Sequence, residues 1–323
     1  MTILLSGVNV NRYRIYGLIV ESEVEFIQLE RAREDEGSLD NTIYIKQEKC
    51  SDEVMDVITK ADALDKQYHI ASEASYFFNK GGFYAIKNGR DIIFETKEGY
   101  MPQTVSAWLL GYCMAILLYE RRTIAIHCSA VSGENGAFLI SGEMGAGKSS
   151  LTRKMLERGF KIMADDVAAV RLQTAPGEDK ENAFVYPAFP YQKLCRNEVE
   201  SRNFNMDELI YIDEAKDKFL VPVKDKFVSD PQKLKFLIFL VVATNVDDVE
   251  VQKMTGLNQL LSIRQNVFLH RLKGDWENSK EYSELCLKVA ANCPVYLIAR
   301  PIEGNSQEKI ADIVEKIYRG EEV

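Results

Sequence analysis

Residues 142–150 read GEMGAGKSS, and Gly142, Gly147, Lys148 and Ser149 satisfy the pattern G-x-x-x-x-G-K-[ST]. Glycines at these positions let the backbone curl so that successive N–H groups face phosphate oxygens. A helix starting at Lys148 adds the positive end of its dipole. Gly142, Glu143, Met144, Gly145, Ala146, Gly147, Lys148, Ser149 and Ser150 are therefore the candidate nucleotide-binding residues. Lys148 would reach the β- and γ-phosphates, and the Ser149 hydroxyl would ligate Mg²⁺. The motif follows AFLIS, which reads as a strand, and precedes a helical pattern, the context it needs. It does not choose a reaction, because GTPases, ATPases and kinases share it.

Asp165 and Asp166 follow Lys148 by 17 and 18 residues, at the end of the strand after the phosphate-loop helix. One carboxylate there could hold Mg²⁺ and the other could accept the proton of an attacking hydroxyl. Neighbouring strand residues face opposite ways, so the strand must end or bend for both to serve. The competing reading is a solvated Asp-Asp turn. His127 lies 21 residues before Lys148, on a strand leading into the loop. An imidazole beside a γ-phosphate could donate a hydrogen bond or tune a carboxylate. Its competing reading is a core histidine with a backbone partner.

The elements that must position these groups alternate in type. FYAIKNGRDIIFE, residues 83–95, predicts a hairpin turning at Asn88-Gly89. CSDEVMDVITKADAL suggests a short helix, and ERAREDEGSLDN a loop. A helix is expected from Thr104 to about Glu120, then a strand over TIAIHCSAV and a second over AFLISG. The phosphate-loop helix should end near Arg158 with Gly159 as its C′ cap. FKIMADD, VAAVRL, KLKFLIFLVV and NCPVYLIAR read as further strands, and SQEKIADIVEKIYRG as a closing amphipathic helix. The fold class is α/β, with a strand-rich N-terminal region over residues 1–100 and a phosphate-loop catalytic domain over 101–323.

The 323 residues carry a formal charge of −9, which disfavours nucleic acid and anionic membranes as partners. The longest apolar run, residues 105–118, is too short to span a bilayer. MTILLSGVNVN lacks the basic start of a signal peptide, and the six scattered cysteines read as reduced thiols; a cytoplasmic protein is expected.

IHCSAV, GEMGAGKSS and ERGFKIMADDVAAV resemble, in order and spacing, the catalytic domain of bacterial HPr kinase/phosphorylase. The resemblance covers about residues 124–171 and implies a P-loop fold of the phosphoenolpyruvate carboxykinase-like type. It implies that His127 and Lys148 match active-site residues, Ser149 a Mg²⁺ ligand, Asp166 the proton acceptor from a substrate serine, and Asp165 its neighbouring aspartate, here also a candidate metal ligand. YRIYGLIVESE and YPAFPYQKLC look like segments of HPr-kinase-related kinases found beside peptide-modification genes, including the lasso-peptide type. Lys193, Lys216 and Lys218 are then candidate phosphate or substrate contacts. The chain departs from the family at Ser150, where those kinases usually carry Glu, and at Cys128, where they carry Gly. No EIRG-type segment of the kind tied to HPr recognition is found, and the first hundred residues do not resemble the family's N-terminal domain.

The leading expectation is an ATP- and Mg²⁺-dependent phosphotransferase acting on a serine hydroxyl of a peptide or small protein. The resemblance also admits a homo-oligomer. A small-metabolite kinase and a non-catalytic nucleotide sensor are the alternatives. A GTPase is weaker, because ATNVDD puts Asn245 where a guanine motif needs Lys.

Overall fold

The computed structural model describes residues 10–61, 66–101, 105–143, 145–175, 177–212 and 217–323 apart from 273. Met144, Thr104 and Lys216 lie outside the described residues. The chain is mixed α/β and divides into two compact units, Met1–Thr123 with Arg271–Ser279, and Ile124–His270 with Lys280–Val323.

The first unit is built on an eight-stranded sheet. Its strands are β1 (Asn11–Ile15), β2 (Leu18–Ser22), β3 (Glu30–Arg31), β4 (Thr42–Gln47), β5 (Tyr68–His69), β6 (Ala74–Phe78), β7 (Gly82–Lys87) and β8 (Asp91–Thr96), in the order β3-β1-β2-β4-β8-β7-β6-β5. Asn88 and Gly89 join β7 to β8 at φ +56° and +57°, the two left-handed residues a type I′ turn demands. Helix α1 (Ser51–Lys60) buries Val54 and Ile58 against β7. Residues 106–120 form α2 (Ser106–Trp108), a π-helical turn, and α3 (Met114–Glu120), with Leu109, Leu110 and the whole of 113–118 buried. Among the described residues no helix is long and apolar enough to cross a membrane.

The second unit carries the phosphate loop. Its strands are β9 (Ile124–Ile126), β10 (Ser129–Gly133), β11 (Gly136–Gly142), β12 (Lys161–Ala164), β13 (Ala168–Thr174), β14 (Glu181–Tyr186), β15 (Tyr191–Cys195), β16 (Ile210–Ile212), β17 (Lys218–Pro222), β18 (Gln232–Ala243), β19 (Glu250–Met254) and β20 (Val295–Pro301). Its helices are α4 (Lys148–Glu157), α5 (Arg196–Ser201), α6 (Gly256–Gln265), α7 (Lys280–Asn292) and α8 (Gln307–Arg319). The main sheet runs β12-β10-β11-β18-β14-β13-β9, with β20 on β18 and β19 on β20; β15, β17 and β16 make a separate sheet. β11, β18 and β20 are parallel neighbours, so their carboxyl ends line up.

The apolar faces of α4 and α8 bury Leu151, Met155 and Val314 against Phe138, Phe236 and Ile238 of β11 and β18. The Phe138 and Phe236 rings stack with centroids 5.0 Å apart. Gly159, at φ +95°, ends α4 as expected.

One expectation fails. TIAIHCSAV is not one strand. It breaks at His127–Cys128, and β9 pairs with β13 while β10 pairs with β11 and β12. The strands paired with it break at the same level: β12 ends at Ala164 and β13 begins at Ala168. Ala130 faces Ala164 on one side of this double break and Ile126 faces Ala168 on the other.

Candidate active site

The phosphate loop joins β11 to α4. Gly142 sits at φ +145°, and a Cβ there would collide with the Leu240 backbone of β18, so only glycine fits. Gly145 and Gly147 are also left-handed, at φ +80° and +104°. The Glu143 N–H donates to Leu240 O at 3.3 Å and the Ala146 N–H to Glu143 O at 3.2 Å. Lys148 Nζ folds back over the loop, donating to Gly142 O at 2.5 Å and Glu143 O at 3.0 Å. Ser149 and Ser150 open the first turn of α4, and Ser150 Oγ donates to Glu198 Oε1 of α5 at 3.4 Å.

Asp165 and Asp166 occupy the break between β12 and β13. Asp166 has φ +80°, a left-handed conformation that Asp tolerates better than most residues. That turn answers the alternation problem, because both carboxylates meet one residue of β15. Lys193 donates its backbone N–H to Asp165 Oδ2 at 2.7 Å and its Nζ to Asp166 Oδ2 at 3.0 Å. The other Asp165 oxygen accepts Ser129 Oγ at 2.5 Å. His127, in the facing break, sets Nδ1 3.0 Å from the Asp166 carbonyl oxygen and 3.5 Å from its Oδ1. Its own backbone is anchored on both sides: its N–H donates to Asn266 O at 2.8 Å, and its carbonyl accepts Ser141 Oγ at 2.7 Å.

The two aspartates are driven apart electrostatically. Burial pushes the Asp165 carboxyl up, against the Ser129 and Lys193 hydrogen bonds that pull it down. Burial also works to raise Asp166, but there the charges of Lys193 and His127, the Lys193 hydrogen bond and Lys218 win and hold it below the ordinary carboxylate value. Asp166 is therefore ionised at neutral pH, with 24% of its side chain exposed against 11% for Lys193. Cys128 is buried beside it, and burial with the nearby Asp165 pushes its thiol well up, which removes it as a nucleophile.

His127, Asp165, Asp166 and Lys193 meet at the double strand break, while Lys148 lies on the carbonyls of its own loop. Gln192 Nε2 donates to Ser149 O at 3.3 Å while its neighbour Lys193 holds both aspartates, so β15 links the start of α4 to the acidic pair. Lys148, Asp165 and Asp166 all act electrostatically on the Cys128 thiol. Lys218 pairs across the small sheet with Cys195 and acts on Asp166.

Sequence reading missed four residues. Ser129 orients Asp165 and stands two places after His127. Gln192, fully buried, adjoins Lys193. Asn266, from the end of α6, gave no local signal. Arg300 donates Nε to Ala146 O and Nη2 to Gly145 O, both at 3.0 Å, bracing the loop from behind. Its place at the carboxyl end of a strand parallel to β18 was the available signal.

Among the described residues no three His, Cys, Asp or Glu side chains are grouped to hold a metal unaided. Mg²⁺ on a nucleotide takes most of its ligands from phosphate and water, and one hydroxyl and one carboxylate suffice from the protein. Ser149 and the acidic pair fit that need.

No family model matches the chain, and no curated protein matches it. Among solved structures it is similar to the HPr(Ser) kinase/phosphatase from Coxiella burnetii, at 15% identity, over 61% of this chain and 97% of that one, with a TM-score of 0.32. At that TM-score the overlap is loose.

Proposed function

We propose that the chain is an ATP- and Mg²⁺-dependent phosphotransferase that moves the γ-phosphoryl group to a serine hydroxyl of a peptide or small protein. The observation that carries this reading is the paired break at His127 and Asp165–Asp166. There an ionised carboxylate, a lysine and an imidazole converge beside a glycine-rich strand-to-helix loop.

Phosphate oxygens would replace the loop carbonyls as partners of Lys148. Ser149 and an Asp165 lone pair would hold Mg²⁺, which supplies charge neutralisation at the phosphates. Asp166 would orient the acceptor hydroxyl and take its proton. A loose phosphoryl-transfer transition state asks little of its base until late, so a carboxylate of low pKa suffices. Lys193 is poised to serve twice. Turning from Asp166 to the transferring phosphoryl group, it would neutralise charge there and leave the carboxylate more basic. The peptide character of the acceptor is supported by the resemblance of YRIYGLIVESE and YPAFPYQKLC to peptide-modifying kinases, and Lys218 would sit on the acceptor side.

The test offers γ-labelled ATP and Mg²⁺ with a serine-peptide pool and, separately, a metabolite pool. Label on peptide serine is expected. Label on a metabolite alone would replace the acceptor class, and tight ATP binding without transfer to either pool would contradict the kinase reading.

A further inference from the structure

Gln192 is a polar side chain in an apolar place. It is 0% exposed and stands on β15 directly opposite Val221 of β17. Strand alternation puts it on the same face as Leu194, which packs with Val199, Phe219 and Val221. A leucine or methionine would fill this position without burying a polar group.

Its amide is half satisfied. Nε2 donates to Ser149 O at 3.3 Å. A carbonyl can only accept, so this contact fixes which way the amide faces. Oε1 is the atom left over, buried and with no donor among the described residues. A buried acceptor in that state costs stability that an apolar side chain of the same shape would not. The residues next to it are the ones to which the proposed chemistry gives Mg²⁺. Ser149 is the residue Gln192 touches, and Asp165 accepts the N–H of Lys193, one place along β15, at 2.7 Å. Mg²⁺ held by one hydroxyl, one carboxylate and phosphate oxygens keeps several waters. A water on a cation turns its hydrogens outward, and each hydrogen needs an acceptor beyond the metal. The nearby carboxylates are already engaged, Asp165 by Ser129 and Lys193, Asp166 by Lys193. Gln192 Oε1 is a neutral acceptor still open, in a dry setting where a hydrogen bond is strong.

We propose that Gln192 is a positioning residue for the metal, its Oε1 accepting a hydrogen bond from a water on Mg²⁺. This rests on the reading of Ser149 and Asp165 as the metal's protein ligands. The orphaned oxygen then lowers the stability of the free chain and adds to metal affinity in the loaded one.

The test measures ATP binding by calorimetry, with Mg²⁺ and with EDTA, in the wild type and in Gln192→Met, beside urea unfolding of the ligand-free proteins. Met keeps the length of the side chain and removes the acceptor. Gln192→Leu repeats the comparison with a second apolar shape, so that a misfit of one side chain is not read as a lost bond. The urea midpoint of the variants should equal or exceed that of the wild type, because an unpartnered buried oxygen is removed. ATP in EDTA should bind all three proteins alike. Mg²⁺ should tighten ATP binding to the wild type, and the variants should bind Mg–ATP about tenfold more weakly than it does, the low end of the usual loss for a residue that orients a metal's ligands. A lower midpoint in both variants, or failure of both to fold, overturns the inference, because Oε1 would then serve the fold itself. Wild-type Mg–ATP affinity in the variants overturns the role of Gln192 and leaves Ser149 and Asp165 as metal ligands. An equal loss with EDTA makes Gln192 a brace of the loop and overturns its link to the metal. Wild-type ATP affinity indifferent to Mg²⁺ overturns the metal reading, and absence of ATP binding the loop reading, each taking this inference with it.

Discussion

At the residue scale, Lys193 joins the site together, because its backbone fixes Asp165 and its side chain neutralises Asp166. Removing the ammonium leaves Asp166 with burial and without its strongest opposing charge, so its pKa must rise. In Lys193→Met the acid limb of the kcat/KM profile should therefore move to higher pH. A limb that stays in place while kcat falls would assign Lys193 to the phosphate alone. His127 contributes the same sign with a weaker contact, so His127→Gln should move the limb in the same direction by less. The identities of Asp165, Asp166, His127 and Lys148 were legible in the sequence because each is a chemically distinctive type near a glycine-rich loop. Their geometry was not. The left-handed Asp166 and the break at His127–Cys128 are imposed by strand pairing far along the chain, while TIAIHCSAV reads locally as unbroken strand.

At the element scale, two features invite measurement. Gly142 abuts β18 so closely that Gly142→Ala must displace backbone and adopt a strained φ, at a cost of about 1–3 kcal/mol. The matching result is a lowered urea midpoint together with lost ATP binding. In the first unit, Glu120 closes α3 and accepts the Gly89 N–H of the β7–β8 turn at 2.7 Å. Burial pushes its carboxyl from 4.5 up to about 8. The folded state therefore holds a proton that the unfolded chain has released between those values, and stability falls as pH rises through that window. The unfolding free energy from urea titration should drop between pH 5 and pH 8.5, by an amount on the order of 2–4 kcal/mol. Glu120→Gln should flatten that slope. The Asn88-Gly89 turn was legible because two left-handed residues leave few choices. The sheet of β15, β17 and β16 was not, because its short strands carry mixed polar and apolar residues, of which Leu194, Phe219 and Val221 pack with Val199 of α5, far apart in sequence.

At the scale of the whole molecule, the chain divides into two compact units, and every group of the proposed chemistry belongs to the second. Mg–ATP at about a hundred times its Kd should then stabilise the second unit by roughly 2.7 kcal/mol, by mass action. Where the units melt separately, the transition of the first should stay in place, a distinction that calorimetry resolves. The α/β character was legible from alternating strand and helix patterns, and β11, β18 and β20 from their apolar runs; their parallel pairing was not. The pairing of Arg271–Ser279 with the N-terminal unit was not, since nothing in that short segment differs in composition from its surroundings.

The most direct test of the central claim pairs one substitution with two readouts. Asp166→Asn preserves shape and removes the proton acceptor. ATP binding should be retained within a few-fold, while transfer of labelled phosphate to peptide serine should fall by about 10²–10⁴-fold. Transfer at the wild-type rate in Asp166→Asn would contradict the account, because the ionised carboxylate at the break between β12 and β13 would then have no part in the reaction.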